Sequence, residues 1–220
     1  MHRSPAVLAL LLLTFSFSAL SAGPAPAQEG LRIQLPPPDT EGGLPLMQAL
    51  KARHSSRSFS ERSLPDQVLS DLLWAAFGVN RPESGKRTAP SAVNWQEIDI
   101  YVSTAEGLYL YEPGDHALSL VRDEDLRALA GEQAFVATAP VNLIYVADYG
   151  RIGQGAMGDK DFYAAADTGF IAQNVYLFCA SEGLSVVVRA MIDRPALAQA
   201  MGLEPDQHIT LSQTVGYPTP

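Results

Sequence analysis

The stretch from Val141 to Glu182 constrains the fold more than any other part of the chain. Val141 to Ala147 is an unbroken apolar run of strand length, the pattern of a β-strand covered on both faces. Asp161 to Glu182 then carries Phe170, Ile171, Val175, Leu177, Phe178 and Cys179 around much of a helical circumference and stops at Gly183, which predicts a long, deeply buried helix. A strand covered twice needs a layer on each side, and a helix apolar around most of its girth needs several neighbours. Together they require a packed core in which helices cover a sheet.

The flanking sequence supplies those layers. Leu44–Ala52 and Pro65–Phe77 read as helices: Pro65 suits a first helical position, Val68, Leu69, Leu72, Leu73 and Ala76 recur at three and four, and Gly78 stops the run. Gly78 to Asn94 reads as a polar loop. Ile98–Ser103, Gly107–Glu112 and Ala117–Val121 read as strands, the last two joined by a turn at Pro113-Gly114-Asp115. A short helix at Asp123–Ala130, strands at Leu184–Arg189 and His208–Val215, and a helix at Pro195–Met201 complete the pattern. The expectation is an α+β fold: a mixed, mainly antiparallel sheet flanked by helices, with the long helix at its centre.

Residues 1–27 read as an address. Arg3 precedes an apolar run, Ala6 to Leu20, shorter than the roughly 18 residues of a spanning helix, and Ala25-Pro26-Ala27 has the small residues of a cleavage site. This predicts a signal peptide, no stable membrane anchor once it is cleaved, and a periplasmic or secreted protein. Residues 28–43, with Pro36-Pro37-Pro38, predict an extended arm, and 44–220 the domain itself. A net charge of -9 argues against general binding to nucleic acid or anionic membranes. One cysteine, Cys179, excludes an internal disulfide, and His2, His54, His116 and His208 are too scattered to make a metal site.

Against that acidic average, Lys51, Arg53, Arg57, Arg62, Arg81, Lys86 and Arg87 crowd one segment, with Glu61, Asp66, Asp71 and Glu83 as its acids. Within it, Arg53-His54-Ser55-Ser56-Arg57 places two guanidiniums and a hydroxyl at alternating positions of an extended stretch, on one side of the chain. Guanidinium forks and hydroxyls suit phosphate oxygens and a ring carbonyl that gains negative charge.

At these residues the chain resembles the FMN-dependent nitroreductase family. Arg53-His54-Ser55-Ser56-Arg57-Ser58-Phe59 resembles its N-terminal flavin motif; Leu72 to Asn80 its second helix and exit; Arg87 to Asn94 a loop that reaches a flavin across the dimer. Gly107 to Pro113 resembles a hairpin of the SagB-type branch, which includes thiazole/oxazole-forming peptide dehydrogenases. Asp167 to Leu184 resembles the dimer helix and Val215-Gly216-Tyr217-Pro218 the last core strand. The resemblance implies a homodimer binding FMN. Arg53 and Ser55 would hold the phosphate and ribityl chain, with His54 between them. Arg57 would lie near the flavin N1 and O2 edge, Pro90, Ser91 and Asn94 would approach from the partner subunit, and Val188, Arg189 and Ala190 would lie against the ring. The chain departs from many relatives in having no basic residue after Arg194, so phosphate binding falls to Arg53, with Arg189 the second candidate.

Other chemistries fit less well. Gly153-Gln154-Gly155-Ala156-Met157-Gly158 matches G-x-G-x-x-G, but Asp159 and Asp161 follow where a pyrophosphate would sit, which favours a Gly-rich loop near the active site. Ser84 and Ser91 lack the flanking glycines of a nucleophile elbow. His54, beside a phosphate-binding arginine, suits packing or hydrogen bonding better than general-base work. The expected function is an exported FMN-dependent oxidoreductase with a small-molecule substrate, hydride passing through flavin N5 and no side chain acting as catalytic acid or base. The alternative is a non-catalytic flavin-binding or flavin-handling protein that kept the fold.

Overall fold

The apolar run at Val141 becomes an interior strand of a seven-stranded antiparallel sheet in a computed structural model of the chain, which describes residues 2, 31–153 and 159–219. In chain order the strands are β1 (Arg32–Gln34), β2 (Val79–Arg81), β3 (Lys86–Arg87), β4 (Ile98–Thr104), β5 (Gly107–Glu112), β6 (Ala117–Arg122), β7 (Val141–Asp148), β8 (Ser185–Arg189) and β9 (Gln207–Gly216). The helices are α1 (Leu46–Ala52), α2 (Asp66–Phe77), α3 (Lys160–Glu182) and α4 (Arg194–Met201). The sheet runs β1-β6-β5-β4-β7-β9-β8, and β2 and β3 form a separate small hairpin. Apart from His2, the signal peptide expected at residues 1–27 lies outside the described residues, as do the start of the arm and Gln154 to Gly158 of the glycine-rich motif.

Strand periodicity divides the core into two layers. Ile100 and Val102 of β4, Tyr109 and Tyr111 of β5, and Leu143, Tyr145 and Ala147 of β7 face α2 and α3, meeting Leu72, Leu73, Ala76, Ile171, Val175 and Cys179. The alternate residues Tyr101, Leu108, Ile144 and Val146 face α4 and the turns before β7, meeting Leu126, Val136, Leu197 and Met201. Each of these fully buried aliphatic side chains contributes roughly 1.5–3 kcal/mol relative to exposure. Helix α3 begins where the Asp159 carboxylate accepts the Phe162 N–H and ends at Gly183, whose left-handed φ of 68° suits glycine. Among the described residues no helix is long and apolar enough to cross a membrane.

Three segments differ from their sequence patterns. Asp123–Ala130 makes only a 3-10 turn at Arg127–Leu129, because the Asp125 carboxylate captures the Arg127 N–H and guanidinium and competes with helical bonding. The Gly78–Asn94 loop contains the β2–β3 hairpin. The arm is not wholly free-standing: Arg32–Gln34 add a short antiparallel edge strand to β6, and Leu35 is buried in the core. Helix α3 buries one face in its own chain; Phe162 and Phe170 stay exposed on the other.

Candidate functional site

The alternating segment Arg53 to Ser60 runs along β8, the last strand of the sheet. The Ser56 N–H donates to the Val186 carbonyl of β8 (2.9 Å), which caps part of an edge that would otherwise expose unpaired backbone groups, and the Ser60 N–H donates to the Tyr217 carbonyl just past the end of β9 (2.8 Å). The Ser185 hydroxyl donates to Ser56 Oγ at 3.1 Å. Phe59 pins the far end, packed on Phe135 with ring centroids 5.1 Å apart and buried with Ala139 and Val187. Tyr176 of α3 fixes the near end. Its hydroxyl accepts the Val188 N–H (3.0 Å) and meets Ser55 Oγ at 2.8 Å, while the Arg53 guanidinium sits 5.4 Å from its ring centroid. One tyrosine therefore ties two parts of the expected site together.

Beside this junction is a cleft of about 220 Å³, lined by Arg57, Gln133, Phe135 and the run Val187 to Met191. Arg57 reaches it from the Arg53–Ser60 segment, which forms a strap beside β8. The Arg189 side chain is buried beneath, its guanidinium donating to the Ala130 carbonyl (3.1 Å), Asn142 Oδ1 (3.2 Å), Ser212 Oγ (2.8 Å) and Thr214 Oγ1. Burial pushes its pKa down to about 10, and at neutral pH it is still charged. Gly131 makes this packing possible: a Cβ there would lie 2.7 Å from Arg189 Nε. Two buried polar atoms of the cleft residues, Arg189 Nε and Gln133 Oε1, have no hydrogen-bond partner among the described residues. Nor does any described carboxylate pair with Arg53, Arg57 or Arg189. The cleft is thus a place where cations converge without counter-charges and meet an apolar wall of Phe135, Val187 and Val188.

A larger groove, about 610 Å³, lies between the arm, α2 and α3. Asp39, Asp71 and Glu182 line it and no lysine or arginine does, so it does not suit an anionic group.

The structure brings Arg57, Val188, Arg189 and Ala190 to one cleft and sets Arg53 and Ser55 next to it through Tyr176. It does not bring His54 there: that ring is exposed, and its Nδ1–H donates to the Ala52 carbonyl of its own helix end at 2.9 Å. Pro90, Ser91 and Asn94 do not line the cleft of their own chain. Ser91 Oγ and Asn94 Oδ1 instead accept hydrogen bonds from Gln96. Sequence patterns missed Gln133, Phe135, Met191 and Tyr176. For Tyr176 there was one usable signal, since a tyrosine on a buried helical face needs a partner for its hydroxyl.

Cys179 is fully buried and burial pushes its thiol well above the usual range, which leaves it inert.

Comparison with known proteins gives a consistent result. A model of the nitroreductase family matches residues 50–217. A Methanocaldococcus jannaschii protein assigned to the nitroreductases is 38% identical over 168 residues, 71% of this chain and 82% of its own. A solved structure from Ralstonia eutropha with the same assignment is 45% identical, with a TM-score of 0.83 over 90% of this chain and 94% of that one. An NADPH:FMN oxidoreductase from Vibrio harveyi, solved with NAD+, shares the fold at 20% identity, with a TM-score of 0.57 over 80% of this chain and 69% of that one.

Proposed function

The chain belongs to the nitroreductase family, and on that basis we propose that it is an exported, homodimeric FMN-dependent oxidoreductase of the SagB-type branch. The observation that carries the cofactor reading is the convergence of Arg57 with Val188, Arg189 and Ala190 on one cleft whose guanidiniums have no described carboxylate partner. A flat, partly apolar group with an anionic tail fits these residues. Arg53 and Ser55 would hold the phosphate and ribityl chain, and Arg57 the polar edge of the ring. The backbone of Val188 to Ala190, with Phe135 and Met191, would form the wall behind the ring. Bound FMN would supply hydride acceptance and donation at N5, so the protein's part is to bind, orient and exclude water. Arg57, as a fixed cation, would favour the reduced ring.

The size of the cleft supports a second copy. Pockets that enclose a drug-sized ligand are roughly 300–1,000 Å³, and the cleft of one chain, about 220 Å³, falls short of that. Leu44, Leu46, Met47 and Leu50, together with Val93 and Phe170, are exposed apolar side chains that a partner subunit would cover. Pro90, Ser91 and Asn94 would then complete the partner's site. Export by residues 1–27 would place the enzyme where nicotinamide donors are normally lacking, which favours a small organic substrate as the electron source.

The Arg57→Ala variant tests the assignment. FMN affinity is expected to fall by about 1.5–3 kcal/mol, roughly ten- to a hundredfold, and the potential of the bound flavin to become more negative as the fixed cation is lost. FMN titration followed by flavin fluorescence, then a potential measured against reference dyes, reads both. Unchanged affinity and potential would remove Arg57 from the site.

A further inference from the structure

Between the arm and the start of α2 lies a cavity of about 280 Å³ that shares no residue with the cleft beside β8. Its walls are apolar: Ile33 and Leu35 from the arm, Leu64 and Leu69 from α2 and the residues before it, Leu118 and Val141 from the sheet. The arm is firmly seated over it. Beyond the pairing of β1 with β6, the Leu35 N–H donates to the His116 carbonyl (3.2 Å) and the Ser70 hydroxyl to the Pro36 carbonyl (2.6 Å).

One polar group at this cavity lacks a partner. Tyr109 of β5 is only 7% exposed and belongs to the same core cluster as Leu118 and Val141, yet its hydroxyl makes no hydrogen bond among the described residues. Other tyrosines buried to similar depth are satisfied. The Tyr111 hydroxyl meets His116 Nδ1 at 2.9 Å, Tyr145 donates to Gln213 Oε1 at 2.5 Å, and Tyr176 holds both Ser55 and Val188. A tyrosine hydroxyl in the interior ordinarily finds a partner. Tyr109 lines the cavity, so a group placed there is what it can bond.

The charges at the cavity are of one sign. Asp66, at the first position of α2, and Glu106, in the β4–β5 turn, line it, and neither pairs with a cation among the described residues. No lysine or arginine lines it. Arg32 on β1 is held by Asp115 at 2.6 Å, and the Arg62 guanidinium lies 4.1 Å from the centroid of the Tyr217 ring. The Glu106 carboxylate is near enough to Tyr109 to be felt there: burial first, then Glu106 and Asp123, raise the phenol above its usual range, so it stays a neutral hydroxyl at physiological pH.

We propose that this cavity binds a small primary amine with an apolar body. The apolar part would lie among Leu35, Leu64, Leu118 and Val141, and the ammonium would face Asp66 and Glu106, with the Tyr109 oxygen accepting one of its N–H bonds. The volume sets the size. It is just below the roughly 300–1,000 Å³ of pockets that take drug-sized ligands, which suits one ring and a short chain. An anion of the same shape would meet two carboxylates and no cation. The assignment is independent of the flavin reading.

Isothermal calorimetry with phenethylamine, and with phenethyl alcohol and hydrocinnamate as its neutral and anionic counterparts, tests the site. The amine is expected to bind one per chain and about tenfold or more tighter than hydrocinnamate, with the alcohol between them. Tyr109→Phe should weaken the amine roughly two- to tenfold and leave the urea midpoint of unfolding unchanged, because no bond within the chain is lost. A hydroxyl with a structural role would lower that midpoint instead. The double variant Asp66→Asn, Glu106→Gln should erase the preference for amine over carboxylate. Saturating FMN should leave the amine affinity as it was, so failure of this site and failure of the cofactor reading are distinguishable. No binding of the amine, a preference that survives the double variant, or displacement of the amine by FMN would overturn the proposal.

Discussion

Replacing Arg189 with leucine is expected to lower the unfolding free energy by about 3–4 kcal/mol. The guanidinium joins the Ala130 carbonyl, which precedes the cleft, to Asn142 on β7 and to Ser212 and Thr214 on β9. Charge-assisted bonds of this kind are worth roughly 1.5–3 kcal/mol each before the desolvation of the cation is set against them. Ser212 Oγ can still donate to the Ala130 carbonyl and Thr214 Oγ1 to Asn142. Removing the guanidinium would therefore leave two buried hydroxyls short of a donor rather than four orphaned acceptors, and this keeps the expected loss to a few kcal/mol. The opposing effect is relief of a buried charge that has no described carboxylate partner. Urea unfolding followed by circular dichroism decides between them. An Arg189→Leu variant as stable as the native chain would mean that desolvation cancels the network, and that Arg189 is kept for the cleft above it rather than for the fold.

The second large effect concerns charge at the strap. Arg53→Glu is expected to weaken FMN binding by about 4 kcal/mol, close to a thousandfold. Loss of the proposed guanidinium–phosphate bonds would account for about 1.5–3 kcal/mol, and repulsion between the new carboxylate and the phosphate would supply the rest at the effective dielectric of a half-buried site. Riboflavin, which has no phosphate, should bind the variant about as well as it binds the wild type. Parallel titrations with the two flavins separate this from general damage to the site. A similar loss for riboflavin would place Arg53 elsewhere or show that the strap has shifted.

Much of the fold was legible because its signals are local. The Pro65 to Gly78 pattern gave α2 with its two ends, Gly183 closed α3, and β5 runs over the residues that its alternation marks. The misses have physical causes. Arg32–Gln34 are exposed on an edge and carry no burial pattern, so β1 was hidden in the proline-rich arm. The β2–β3 hairpin is polar for the same reason. The outer face of α3 is apolar, and its own chain leaves Phe170 49% exposed, so sequence pattern overstated how deeply this helix is buried.

The site was legible only where one segment encodes it. The alternation of Arg53, Ser55 and Arg57 lies in a single strap, but Gln133, Phe135 and Met191 come from turns whose meeting with Arg57 is set by the registers of β7, β8 and β9. Tyr176 joins the strap to β8 from a helix more than a hundred residues away in sequence.

The central claim is that this chain is a flavoprotein, and identifying the flavin tests it most directly. The protein is purified and denatured, and any released chromophore is identified by chromatography and its absorption spectrum. Protein that emerges colourless is first incubated with FMN. The account predicts FMN, close to one per chain. Protein that carries no flavin and takes up none would contradict it.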